Sequence, residues 1–279
     1  MGNFILKISM RTLKLSAKLF TLFVLFTSIL LLWFYIKIPS NKEIKGCLVT
    51  KMYQVHLCPG SKQYVRLGSV SNYVQKAVVV TEDSAFWQHH GFDFQEIQNS
   101  FKKNLEKGRF ARGGSTITQQ LAKNMFLTKD KTLSRKALEA IITVRLEEVL
   151  TKREILERYF NVVQFGKDIF GIQQAAHFYF KKNPSDLDVI ESAFLVFLLP
   201  NPEVYSKSFY KKKLTAFASK RLEQIISRLY HFDRITQSEY LVAKNQLPYF
   251  LSGQQPPTID PALDLIDEED SDTELDLFE

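Results

Sequence analysis

The sequence predicts a mainly α-helical domain behind a single N-terminal transmembrane helix. Residues 19–36 carry no charged side chain, and eighteen helical residues span about 27 Å, close to the thickness of a bilayer's hydrocarbon core. From about residue 71 to residue 244, apolar residues recur at spacings of three and four, as in Leu138, Ile142 and Leu146. The 11 glycines are few, and most of those in this region fall in short stretches that we interpret as loops.

The charges beside the apolar segment predict its orientation. The first 18 residues contain four basic residues and no acidic one: Lys7, Arg11, Lys14 and Lys18. This bias predicts an N-terminus inside the cytoplasm, with the bulk of the protein outside it. A cleaved signal peptide is the alternative, but its apolar region is usually shorter and no small-x-small cleavage site follows Ile36. We therefore favour an uncleaved anchor.

Composition, together with the residues that mark turns and helix ends, divides the chain into five segments. The predicted segments are a cytoplasmic basic tail (1–18), a transmembrane helix (19–37), a linker with turn signals and a short hairpin (38–70), a helical domain (71–247) and an acidic disordered tail (248–279). Within the domain, capping boxes predict helix starts at Thr116 and Thr151, and Pro200 and Pro202 end an apolar helix beginning near Ser185.

The charge is distributed unevenly. The chain carries 37 basic and 30 acidic residues, and ten of the acidic residues lie between residues 260 and 279. The remainder, with a formal charge of +17, favours an anionic partner such as a phosphorylated substrate or anionic lipid. Cys47 and Cys58 lie close together and form either one disulfide or two free thiols; without further ligands at metal spacing they do not indicate a zinc site.

Residues 81–91 place two carboxylates and two imidazoles close together: Glu82, Asp83, His89 and His90. Such side chains bind metals, act as acids and bases, or hold a turn by hydrogen bonds. The stretch alone does not choose among these.

Residues 112–124 form a second polar stretch. Gly113 and Gly114 lead into a capped helix start, which favours anion binding by backbone N–H groups, although the Gly-Lys-Ser/Thr of a nucleotide-binding P-loop is absent. On that helix Gln120 and Asn124 share one face, and Gln119 and Lys123 lie on the adjacent one; a solvated polar face is the alternative. Further on, Arg135 and Glu139 are spaced to pair along a helix, which taken alone indicates only a surface ion pair.

Together these motifs resemble one family. The patterns Glu-Asp-x-x-Phe-x-x-His-x-Gly, Gly-Gly-Ser-Thr-Ile-Thr-Gln-Gln and Arg-Lys-x-x-Glu, in this order, look like those of the peptidoglycan glycosyltransferases, glycosyltransferase family 51. The resemblance runs from about residue 70 to residue 210, and its pattern is that of the monofunctional enzymes. It implies a lysozyme-like helical glycosyltransferase domain that polymerises lipid II into β-1,4 glycan strands by an inverting displacement, releasing undecaprenyl pyrophosphate.

The resemblance also implies roles for individual residues. Glu82 matches the general base and Glu139 the second essential acid, which holds a cation, orients Lys or Arg, or stabilises oxocarbenium-like charge. Lys123 and Arg135 match positions that bind the pyrophosphate or support its departure. The remaining residues expected to line the site are Asp83, Ser115, Thr116, Gln119, Gln120 and Asn124. No cofactor is required, although a divalent cation (Mg²⁺ or Mn²⁺) is compatible with the pyrophosphate; His89 is expected to hold the turn and no residue is assigned to a metal.

The implied partners are lipid II, the growing lipid-linked strand, membrane lipids and other cell-wall synthesis or division proteins, but no nucleic acid. The implied location is the bacterial inner membrane, with the catalytic domain in the periplasm. Residues 101–110 mix basic and apolar side chains, so we expect them to dip into the membrane surface; a solvated loop is the alternative.

One departure keeps other functions open. Many relatives carry an acidic residue where this chain has Val162, Val163 and Gln164, which predicts fewer carboxylates in the cleft and reduced activity. A lytic muramidase of lysozyme-like fold and an inactive scaffold of the cell-wall machinery are the alternatives. A bifunctional penicillin-binding protein is not expected, because the chain is too short for a second domain.

Overall fold

A computed structural model of the chain describes residues 2–106, 108 and 114–257. The α-helices in this part are α1 Gly2–Lys37, α2 Asn41–Lys45, α3 Asn72–Glu82, α4 Phe94–Glu106, α5 Ile117–Phe126, α6 Leu133–Val149, α7 Lys152–Val162, α8 Ile172–Phe180, α9 Val189–Leu198, α10 Pro202–Tyr205, α11 Lys207–Tyr210, α12 Ala216–His231 and α13 Gln237–Gln246. Short antiparallel hairpins pair β1 Leu48–Val49 with β2 His56–Leu57, and β3 Gln164–Gly166 with β4 Ile169–Phe170. The predicted mainly α-helical class is confirmed. Arg112, Gly113 and residues 258–279 lie outside the described residues.

Helix α1 is long and apolar enough to cross a membrane. Its 36 residues extend about 54 Å, longer than the bilayer core requires. Large apolar side chains along it, such as Phe20, Leu31 and Ile36, are exposed rather than covered by the domain. An exposed apolar surface of this size needs a lipid or protein environment.

The core is built around α9, whose residues are all buried. It packs against α3 and α12, while α5 packs against α6 and α7. Helix α9 begins at Val189, later than predicted, because Asp188 forms a capping box with Glu191 and residues Pro184–Asp186 form a separate 3₁₀ turn. The capping boxes predicted at Thr116 and Thr151 are both present.

The segment predicted as a linker belongs to the folded domain. Ile44 and Leu57 are buried in the core, and the Arg158 side chain donates from Nε to the Ile44 carbonyl at 3.3 Å. The tip of the first hairpin also caps α5, because the backbone N–H of Lys51 donates to the Met125 carbonyl at 3.0 Å. Burial of scattered apolar residues in an irregular segment has no periodic signal, so the sequence pattern missed it.

Cys47 and Cys58 form a disulfide across the base of this hairpin, which decides between the two predicted alternatives. Because the bond closes a short loop, replacing both cysteines by serine should lower the free energy of unfolding by about 3 kcal/mol without unfolding the domain. Chemical denaturation of wild type and variant measures the difference. Adding a reductant to wild type should reproduce the loss, and unchanged stability in both tests would contradict this prediction.

The packed domain also extends past residue 247, where the disordered tail was predicted to begin. Leu247–Tyr249 form a 3₁₀ helix, and Phe250 and Leu251 pack against the core. The Phe250 ring lies 5.5 Å from that of Phe194 in α9. Aromatic packing therefore extends the folded domain beyond the point where the proline and glycine content predicts its end.

Candidate active site

Glu82 is the last residue of α3 and faces an open cleft. The cleft spans about 440 Å³, a volume that includes space open to solvent. Its lining residues are Val80, Thr81, Glu82, Asp83, Ser84, Asp93, Glu96, Gly114, Ser115, Thr116 and Arg228. Four predicted site residues, Glu82, Asp83, Ser115 and Thr116, are therefore brought together from two separate motifs.

Asp83 is buried and connects α3 to α5. Its Oδ1 lies 2.8 Å from His89 Nε2, and its Oδ2 accepts the backbone N–H of Ile117 at 2.9 Å. His89 Nδ1 accepts the backbone N–H of Gly91 at 3.0 Å, so the ring donates its Nε2–H to Asp83. His89 thus holds the turn, as predicted, and both oxygens of Asp83 are engaged in bonds that join the end of α3 to the turn and to α5.

Gly91 completes this turn in a backbone conformation that strains other residues. Its φ of +94° lies in the region that favours glycine, and an added Cβ would come within 2.9 Å of Thr143 Cγ2 on α6. Its carbonyl accepts the Thr116 hydroxyl at 2.7 Å. The glycine of the first motif therefore lets α6 approach the turn, and its carbonyl links the turn to the second motif.

The start of α5 differs from the predicted anion site. The backbone N–H of Ile117 donates to Asp83, and that of Gln119 donates to Thr116 Oγ1 at 3.2 Å. The Gln119 side chain accepts the N–H of Thr116 at 2.9 Å. An internal carboxylate thus stabilises the positive end of the helix, so Thr116 and Gln119 position α5 rather than offering these groups to a ligand.

The environment of Glu82 suits a base. Burial raises the pKa of Glu82, while the hydrogen bond from Gln120 and the positive charges of Arg221 and Lys123 lower it. Gln120 Nε2 lies 3.0 Å from Glu82 Oε2. A carboxylate with a raised pKa takes up a proton more readily than one in water.

A second group of charges surrounds Glu139, which is buried on α6. Its Oε2 accepts Arg135 Nη1 at 2.9 Å, and its Oε1 pairs with Lys136. Burial lowers the pKa of Lys123 on the neighbouring α5, whereas the charge of Glu139 raises it. Three cations around one carboxylate leave this group, which we term the cation cluster (Lys123, Arg135, Lys136 and Glu139), with an excess of positive charge.

Some contributors were not predicted. Arg228 lines the cleft and Arg221 acts on Glu82, both from α12, while Lys136 joins the cation cluster. Arg221 and Arg228 are far from Glu82 in sequence, so only the packing of α12 against α3 places them here. Lys136 stands beside Arg135 in the third motif, where the i, i+3 spacing to Glu139 could have indicated it. Asn124 is buried on α5, outside the cleft lining.

The sequence of this domain matches known proteins over most of its length. The sequence model of the family described as Transglycosylase matches residues 50–230, which include every residue of the cleft and the cation cluster. The chain belongs to the transglycosylase family. It is also similar to relatives named biosynthetic peptidoglycan transglycosylase. One from Nitrosomonas eutropha is 44% identical over 167 residues, covering 60% of this chain and 67% of the relative. Another, from Aromatoleum aromaticum, is 42% identical over 203 residues, covering 71% and 87%.

Within this transglycosylase, the departure at residues 162–164 lies outside the cleft lining. Val162 and Val163 are buried in the core. Gln164 donates from Nε2 to the Gly166 carbonyl at 2.9 Å, within the second hairpin. The three residues therefore give no structural support to the expectation of reduced activity.

Proposed function

We propose that this transglycosylase polymerises lipid II into β-1,4 glycan strands, with Glu82 as the general base. The observation that carries the proposal is the pairing of a raised-pKa carboxylate in an open cleft with the cation cluster on α5 and α6. Lys123 connects the two, because its charge acts on both Glu82 and Glu139. Glycosyl transfer from a lipid pyrophosphate needs a base that deprotonates the acceptor hydroxyl. It also needs cations that stabilise the negative charge on the departing pyrophosphate.

In the proposed reaction, Glu82 takes the proton of the acceptor's sugar hydroxyl as the oxygen attacks the anomeric carbon of the lipid-linked glycan. The bond to the pyrophosphate breaks with inversion, and the electron pair leaves with the pyrophosphate. Ser115 is exposed at the cleft and can contact the acceptor sugar. Hydrolysis by a lytic muramidase would leave the cation cluster without a role, so synthesis is the better reading.

The cation cluster is proposed to bind the leaving pyrophosphate. Arg135 Nε is buried and has no hydrogen-bond partner among the described residues, so it retains a donor for a phosphate oxygen. Glu139 holds Arg135 and Lys136 in place rather than contacting the sugar. In the described part of the chain, no cluster of three or more His, Cys, Asp or Glu side chains could hold a metal ion, and no step here depends on one.

We propose that α1 anchors the protein in the bacterial inner membrane with its N-terminus in the cytoplasm. Helix α4 offers a second membrane contact, because Phe94, Phe101 and Leu105 are 76%, 65% and 66% exposed. Phe101 and Leu105 belong to the segment 101–110 that was predicted to dip into the membrane, of which residues 101–106 and 108 are described. Protease added outside spheroplasts should digest the domain, whereas protection of the domain would reverse the orientation.

The decisive assay incubates the detergent-solubilised full chain with lipid II. Lipid-linked glycan polymer is expected, and purified sacculi should remain intact. Cleavage of sacculi without polymer would establish the lytic alternative, and inactivity towards both substrates would favour a scaffold.

A further inference from the structure

A buried tyrosine lies behind the proposed base. The Tyr159 side chain on α7 is 0% exposed, and its hydroxyl donates to Gln120 Oε1 at 3.1 Å. Gln120 in turn donates from Nε2 to Glu82 Oε2. The chain from Tyr159 through Gln120 to Glu82 thus crosses from the core to the cleft.

This chain fixes which end of the Gln120 amide faces Glu82. A neutral phenol that donates to Oε1 turns the NH₂ group towards the carboxylate. The reversed amide would set its carbonyl oxygen against the carboxylate, which is unfavourable when Glu82 is ionised. Burial together with the charges of Glu82 and Asp83 keeps the pKa of Tyr159 well above its usual range, so the phenol retains its proton.

We propose that Tyr159 is a positioning residue for the general base, acting through the Gln120 amide. The inference rests on the proposed function of Glu82. Tyr159 and Gln120 hold Oε2 in place, and Oε1 takes the proton from the acceptor hydroxyl. The O–H bond of the acceptor breaks, an Oε1–H bond forms, and the acceptor oxygen gains the electron pair with which it attacks.

Replacing Tyr159 by phenylalanine should change the pH dependence in a defined direction. The Gln120 hydrogen bond lowers the pKa of Glu82, so a loosened amide lets that pKa rise. Since the base works only when deprotonated, the acidic limb of kcat/KM should then move to higher pH. The other charged groups around Glu82 keep their places in this variant; they are Asp83, Asp93, Glu96, Lys123, Arg221 and Arg228.

Tyr179→Phe is a matched control. Tyr179 is also buried, and its hydroxyl donates to the Phe165 carbonyl at 2.9 Å, away from the cleft. Each substitution removes one buried phenolic hydroxyl and its hydrogen bonding. With lipid II as substrate, Tyr159→Phe should lower kcat about tenfold near neutral pH with little change in KM, while Tyr179→Phe should leave the pH profile in place.

A titration independent of activity separates this inference from the proposed function. In protein labelled with ¹³C at glutamate carboxyls, the Glu82 resonance is identified by its loss in Glu82→Gln. Its pKa should rise in Tyr159→Phe, rise equally in Gln120→Leu, and rise no further in the double variant, because both act through one hydrogen bond. An unchanged pKa in Tyr159→Phe, or an equal rise in Tyr179→Phe, overturns the role of Tyr159. Failure of wild type to polymerise lipid II overturns the proposed function instead, and the titration still decides the positioning.

Discussion

Replacing Glu82 by glutamine should lower kcat/KM for glycan synthesis by about 10²–10⁴-fold. The magnitude is that of general-base catalysis, since glutamine keeps the shape of the side chain but cannot take a proton. Gln120 can still hydrogen-bond the new amide, so the cleft should keep its geometry. Initial rates of lipid II polymerisation measure the loss.

The same variant should be at least as stable as wild type. The folded state raises the pKa of Glu82, so ionising this carboxyl costs more in the fold than in the unfolded chain. That cost is absent at low pH, grows as the pH rises from the unfolded pKa through the folded pKa, and persists at neutral pH. Glutamine removes it, and thermal unfolding at pH 7 should show an equal or higher midpoint.

Glu148→Gln provides the comparison, because Glu148 is exposed and its ion pair among the described residues is with Arg145 on its own helix. That variant should retain activity within about twofold, as most surface substitutions do. Near-normal synthesis by Glu82→Gln would remove Glu82 from the role of base. A variant that loses both activity and fold would instead assign Glu82 a structural role.

The sequence predicts best what depends on local pattern. The capping boxes at Thr116 and Thr151, the apolar periodicity of α6 and the hydrogen bond that holds the His89 turn all rest on residues within a few positions of each other. Short spacings on a helix fix distances directly. The pairing of Arg135 with Glu139 was predicted for the same reason.

Long-range packing accounts for what the sequence did not predict. The partner of the α5 N-terminus is Asp83, 34 positions away, and Tyr159 reaches Gln120 across 39 positions. The composition of residues 38–70 resembles that of a linker, yet the buried Ile44 of α2 and Leu57 of β2 make this segment part of the core. The periodicity of apolar residues in the sequence does not predict such contacts, because they depend on how whole helices pack against each other.

Replacing Lys123 by methionine should lower kcat/KM about 10²–10³-fold, the usual cost of removing one group that stabilises transition-state charge. Methionine preserves an apolar stem in the half-buried space between Glu82 and the Arg135–Glu139 pair and removes only the ammonium group. The rate constant for bond formation should fall more than lipid II binding, because charge on the pyrophosphate grows as its bond breaks. Single-turnover polymerisation at saturating lipid II measures this step.

Lys129→Met removes the same charge just beyond the end of α5, where Lys129 is exposed and lies over the Tyr53 ring at 4.8 Å. If the net positive charge of the domain merely attracts an anionic substrate, the two variants should lose similar activity, and added salt should weaken wild type to the same level. If Lys123 stabilises the leaving pyrophosphate, Lys129→Met should stay within about twofold of wild type while Lys123→Met does not.

Burial lowers the pKa of Lys123, so wild-type activity should also decline at a lower alkaline pH than an exposed lysine would give. Absence of that decline, together with equal losses in the two variants, would move the pyrophosphate site away from Lys123 and leave Arg135 as its main cation.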